Sequence, residues 1–93
     1  MAGWKKLLAR MLSDAAPTGY TYREAAAVLT HLGFELAPHS GGSHRMWRHR
    51  KASGNVVVIG LVEHGTGPMK AYLVRDMVAA LRAHGLVPKG LER

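Results

Sequence analysis

The chain contains no cysteine. Disulfide stapling and cysteine-based zinc ribbons are therefore excluded, and a reducing compartment is the natural expectation. Acidic residues are scarce: six Asp and Glu stand against thirteen Lys and Arg, a formal charge of +7 on 93 residues. Also missing is any run near the roughly 20 apolar residues that a membrane-spanning helix needs. The first amphipathic stretch, Trp4 to Leu12, is interrupted by Lys5, Lys6 and Arg10, so it lacks the continuous hydrophobic segment of a signal peptide. A cytoplasmic protein without membrane contact is expected. What is abundant is apolar side chain, 47% of residues, enough for one small domain with a modest core. The positive field favours polyanionic partners and speeds their capture, although such charge also serves solubility alone.

Trp4, Leu7, Leu8, Met11 and Leu12 recur at helical spacing and predict a short amphipathic helix over residues 1 to 13. Ser13 to Gly19 reads as a connector. Thr21 followed by Glu24 has capping-box spacing, with Tyr22, Ala25, Val28, Leu29 and Leu32 as the apolar stripe of a second helix and Gly33 as its stop. Three strands are predicted at Phe34 to Ala37, Ser43 to Arg50 and Asn55 to Val62, the last nucleated by the β-branched Val56-Val57-Val58-Ile59. Lys51 to Asn55 is a hairpin connection, His64 to Met69 a glycine-rich loop, and Ala71 to His84 a third helix capped by Gly85. Leu86 to Arg93 reads as a frayed tail.

The expected fold class is α+β: a three-stranded antiparallel meander with flanking helices on one face, plus the extra N-terminal helix. Residues 1–18 form an extension and connector, 19–87 the functional domain, and 88–93 a tail. The adjacent Met46 and Trp47 face opposite sides of the sheet, and the third strand is apolar on both faces. A sheet covered on one side only should show a polar second face, so the N-terminal helix or a partner protein is expected to cover it.

Residues 41 to 49, Gly-Gly-Ser-His-Arg-Met-Trp-Arg-His, concentrate the candidate chemistry. Glycines before a strand allow close backbone approach and an anion-binding nest. Arg45, Arg48, Arg50 and Lys51 add cations along one hairpin, and Lys70 adds another at the start of the last helix. His44 supplies a proton-transfer group at the mouth of the turn. His49, five residues on, falls on the other face of a regular strand and is expected to be structural or solvent-exposed rather than a co-catalyst. The six histidines do not offer a pair at helical ligand spacing with a nearby carboxylate, so neither a metal nor another cofactor is expected.

The Gly-Ser-His-Arg-Met-Trp-Arg-His run of residues 42 to 49 resembles the central motif of the HicA family of small bacterial toxins. It follows a helix ending Leu32-Gly33-Phe34. A valine-rich strand comes after it, then a histidine-containing loop and a helix ending His84-Gly85-Leu86, as in that family. The resemblance covers about residues 20 to 87. It implies a fold like the double-stranded RNA-binding domain and metal-independent cleavage of mRNA that blocks translation. Inhibition by a HicB-family antitoxin is implied as well. The family's catalytic histidine falls on His44, with Gly42 and Ser43 shaping the approach to it. The segment before Thr21 and the loop His64 to Lys70 depart from the family pattern and leave partner contacts open.

On this reading His44 assists attack of a ribose 2′-hydroxyl on the adjacent phosphorus, a proton transfer suited to imidazole. Arg45, Arg48 or Lys70 would stabilise the transition-state charge. RNA contacts are expected from Gly42, Ser43, Arg45, Arg48, Arg50, Lys51 and Lys70. Two other functional classes fit the composition: a non-catalytic RNA-binding module of similar fold, and a basic domain that docks an acidic protein. A homo-oligomer and a toxin–antitoxin hetero-oligomer both stay open.

Overall fold

A computed structural model describes residues 3–39 and 41–91. The elements run α1 (Trp4–Ser13), α2 (Tyr22–His31), β1 (Glu35–Leu36), β2 (His44–Arg50), β3 (Val56–Val62) and α3 (Ala71–Ala83). The strands form one antiparallel sheet in the order β1-β2-β3. Among the described residues no helix is long and apolar enough to cross a membrane.

The start of α2 follows from local chemistry. The Thr21 hydroxyl accepts from the Glu24 backbone N–H at 3.2 Å, and the Thr21 N–H donates to Glu24 Oε1 at 2.9 Å. Two otherwise unpaired first-turn donors are thereby satisfied. At the other end Gly33 takes φ +95°, and the Phe34 N–H returns to the Leu29 carbonyl at 2.9 Å. The positive φ favours glycine there, and a Cβ would also press to 3.2 Å from the His49 ring, which would have to shift.

The β-branched run drives β3, and pairing with β2 sorts its faces. Val57, Ile59 and Leu61 are buried, whereas Val56, Val58 and Gly60 are exposed. On β2 Trp47 is buried and Met46 exposed, with Trp47 directly opposite Ile59. One sheet face therefore joins a single core with Leu8, Met11, Val28, Leu29, Val74, Met77 and Leu81.

The second face is where expectation and structure part. α1 does not cover it: that helix packs beside α2 and α3, placing Leu8, Met11 and Leu12 in the common core. The outer face stays open, with Met46, Val56 and Val58 each about half exposed. The physical reason is the charge on that face: Leu8, Met11 and Leu12 meet apolar side chains in the common core, whereas docking on the sheet would desolvate Arg48 and Arg50. The tail also differs from the frayed segment expected. Leu86, Val87 and Leu91 pack partly buried against the core, and Arg82 donates to the Leu12 carbonyl at 2.7 Å, tying α3 to the end of α1. Residues 92 and 93 lie outside the described residues. The glycine-rich loop is pinned by the Met69 N–H, which donates to the Tyr20 carbonyl at 2.8 Å, and by burial of Met69.

Candidate nucleic-acid interface

His44 is the first residue of β2 and is exposed. Just before it, Gly41 and Gly42 take φ +134° and +74°. Neither glycine faces an atom that a Cβ would strike, so backbone conformation rather than crowding requires glycine here. The turn throws the chain into β2 with His44 on the open face. Alternation puts Met46, Arg48 and Arg50 on the same face. Cross-strand partners complete it: Val62 opposite His44, Gly60 opposite Met46, Val58 opposite Arg48 and Val56 opposite Arg50. Glu35 of β1 lies cross-strand from Arg48, the acid on an otherwise basic and apolar surface.

Arg45 lies on the other face. It is mostly buried, with Nε 3.0 Å from Glu63 Oε1. Its Nη1 donates to the carbonyls of Gly42 at 2.7 Å and His44 at 3.2 Å. Those donors are committed to the chain's own turn, and Arg45 braces the segment that presents His44. The Ser43 carbonyl accepts from the Glu63 N–H at 2.7 Å, closing the same corner. Arg50 donates to the Gly54 carbonyl at 3.2 Å, and Lys51 closes the hairpin through its backbone. Of the expected contacts, Gly42, His44, Arg48 and Arg50 thus share an open surface, with Lys51 at its far hairpin. Lys70 stands apart, exposed at the N-cap of α3.

Lys70 nonetheless borders the same corner. A cavity of about 350 Å³ is lined by Val62, His64, Pro68, Lys70, Tyr72 and Leu73, and Val62 is His44's cross-strand partner. Larger grooves of about 550 and 470 Å³ run along α1 in the helical layer, behind the sheet rather than on the His44 face. Sequence reasoning did not single out His64 or Tyr72. Their one linear signal is position: His64 lies two residues past Val62, and Tyr72 is the second residue of the helix that Lys70 caps.

His49 has the structural place expected of it. Its Nδ1 lies 3.2 Å from the Gly33 carbonyl, and since a carbonyl only accepts, Nδ1 carries the proton. Its ring packs against Phe34 with centroids 5.2 Å apart. Under the sheet, burial raises the Tyr22 hydroxyl above its ordinary pKa of 10.0, with the Glu63 carboxylate adding to the rise. The Trp47 indole and the Arg45 charge oppose it. Trp47 Nε1 is buried close to that hydroxyl but makes no well-formed hydrogen bond. Among the described residues, no three His, Asp or Glu side chains gather as a metal site.

Arg45–Glu63 is the only ion pair among the described residues. Glu24 is spent in the capping box and Asp14 on the Ala16 N–H. Most cations therefore keep their charge available to an external anion. No known family model, curated protein or solved structure matches this chain.

Proposed function

We propose that this protein is an RNA-cleaving toxin of the HicA type, with His44 as its proton-transfer residue and the open sheet face as its RNA-binding surface. The observation that carries the reading is the placement of His44. It is solvent-exposed at the rim of a two-glycine turn, on the face that also carries Arg48 and Arg50. A phosphodiester laid along that face meets cations for its charge and an imidazole that takes the 2′-hydroxyl proton as O2′ bonds to phosphorus. The P–O5′ bond breaks, water protonates the departing 5′-oxygen, and a 2′,3′-cyclic phosphate is left. Such chemistry draws its nucleophile from the ribose, so it uses neither metal nor cofactor and spares DNA. The helix–strand–strand–strand–helix order of α2 to α3, with the helices on one side of an antiparallel sheet, supports a fold like the double-stranded RNA-binding domain. The residues assigned to RNA contact are Arg48 and Arg50 on the open face, Lys51 at its hairpin end and Lys70 at the adjoining corner, with Gly42, Ser43 and Arg45 acting through the turn that presents His44. An acidic antitoxin of the HicB type is the partner that would restrain the activity, in the cytoplasm where mRNA is found.

The test is His44→Ala with RNA cleavage, growth inhibition and RNA affinity measured together. Cleavage and toxicity are expected to vanish, while affinity, set by arginines on the face, changes less than about threefold and falls steeply with salt. Undiminished cleavage by the variant would overturn the reading. A wild-type protein that binds RNA without cutting it would instead mark a non-catalytic RNA-binding module.

A further inference from the structure

The hydrogen-bond register of the sheet leaves the outer edge of β3 without a paired strand. The Lys51 N–H donates to the Asn55 carbonyl and the Glu63 N–H to the Ser43 carbonyl, at the two ends of the β2–β3 ladder. In antiparallel pairing the bonded pairs recur every second residue, so Val57, Ile59 and Leu61 direct their backbone groups to β2. Val56, Val58, Gly60 and Val62 direct theirs outward. Among the described residues none of those outward N–H and C=O groups has a hydrogen-bond partner. Edge strands are ordinarily guarded by lysine, proline, a bulge or shortness. β1, the other edge, is guarded by being two residues long. β3 has seven residues, Val-Val-Val-Ile-Gly-Leu-Val, without a charge, a proline or a bulge.

We propose that β3 pairs with β3 of a second copy of this chain, in antiparallel register about Ile59, and that each copy lends Arg50 to the other's His44 face. The free groups are themselves symmetric about Ile59. Val56 opposite the second copy's Val62, and Val58 opposite its Gly60, form bonded pairs on both sides of a two-fold axis. All four outward residues of each copy are satisfied, with about eight new backbone hydrogen bonds. No charged residue lies in the seam, so two copies carrying +7 each meet where neither carries charge. At each end Glu63, half exposed, comes opposite the other copy's Asn55 and one strand from its Lys51.

The pairing has a consequence for the site, which rests on the ribonuclease reading. Across the seam one row of the open face runs His44, Val62, then Val56 and Arg50 of the second copy. The second arginine stands three strand spacings from His44, about 14 Å. The joined sheet is one basic surface on which each histidine is served by cations of both copies.

Amide hydrogen exchange on the intact protein, from micromolar to submillimolar concentration, tests the seam. Protection of the Val56, Val58, Gly60 and Val62 amides should rise with concentration alongside a doubling of mass in sedimentation. Added salt should strengthen association by screening the two +7 charges, the reverse of its effect on RNA binding. Val58→Lys should weaken association at least about tenfold, while Val58→Thr leaves it intact; Val58 is half exposed, so both variants should fold. A monomer at all concentrations, with those four amides unprotected, overturns the proposal. For the shared site, His44→Ala and Arg50→Ala copies are mixed. Half of the pairs are then mixed pairs in which one His44 meets the other copy's Arg50, so cleavage should exceed that of either variant alone, up to about a quarter of the wild-type rate. No gain over the separate variants, in a mixture shown to pair, overturns the sharing. A wild type that pairs but never cleaves RNA counts against the ribonuclease reading and leaves the pairing decided by exchange.

Discussion

Replacing Arg45 by methionine keeps the length of the side chain and removes its donors. Its Nη1 serves the Gly42 and His44 carbonyls at 2.7 and 3.2 Å, and Nε serves Glu63 at 3.0 Å. Hydrogen bonds from a charged donor contribute about 1.5–3 kcal/mol when their loss strands a buried partner. Here the Gly42 end of the turn is exposed and water can replace part of the loss. The ion pair adds little, because the Glu63 side chain is 46% exposed and such pairs are worth about 0–1 kcal/mol. The sum is about 2 kcal/mol, a fall in Tm of roughly 8–16 °C for a domain of this size. Glu63→Gln removes only the screened pair and should cost about 0.5 kcal/mol. The turn that loses its brace carries His44, and displacement of a catalytic group by about 1 Å costs up to about a hundredfold in rate. Arg45→Met should therefore slow RNA cleavage about 10–100-fold with little change in RNA affinity, since Arg45 points away from the open face. Thermal melts of the two single variants and the double, with single-turnover cleavage and RNA titration, give each quantity. Equal destabilisation by Glu63→Gln and Arg45→Met would refute the reasoning, because the ion pair and not the turn would then be what Arg45 supplies. A large loss of affinity with an unchanged cleavage step would refute it equally.

Leu8→Ala tests whether α1 is part of the domain. Leu8 is fully buried among α2 and α3 side chains, so its truncation should cost about 3 kcal/mol and lower Tm by roughly 12–24 °C; a loss of only a few degrees would show that α1 is not docked. Tyr22→Phe tests the buried hydroxyl. Because the folded chain raises the Tyr22 pKa above 10.0, the folded state holds that proton longer than the unfolded chain. The associated stability is complete below about pH 10 and is lost as pH rises through the folded value. Urea melts across pH 8 to 11 should therefore show a steeper alkaline decline for wild type than for Tyr22→Phe, and parallel curves would contradict the assignment.

Much of the architecture was legible because its causes are local. The reciprocal bonds of Thr21 and Glu24 need only a four-residue spacing, and the β-branched run at 56 to 59 needs only its own sterics to be a strand. Position parity alone puts His44 and Arg48 on one face and His49 on the other. The same parity separates Arg45 from His44, yet charge alone grouped Arg45 with the RNA contacts. Its real partners, Glu63 and the Gly42 carbonyl, are visible only once β2 and β3 are paired. The cavity formed by Val62, His64, Lys70 and Tyr72 was not legible, because a loop and a helix start meet there only after α3 packs against the sheet.

By itself the sequence determined the identities of the strands and helices, the excess of positive charge and the left-handed turn ahead of His44, since propensity, capping and backbone sterics act within a few residues. Tertiary structure alone decided that α1 joins the helical layer, that the tail folds back onto the core, and that one sheet face and one strand edge remain open. Those outcomes depend on which apolar surfaces compete for the same partner across the chain. A pattern of hydrophobic residues says that a surface must be buried, but not against what.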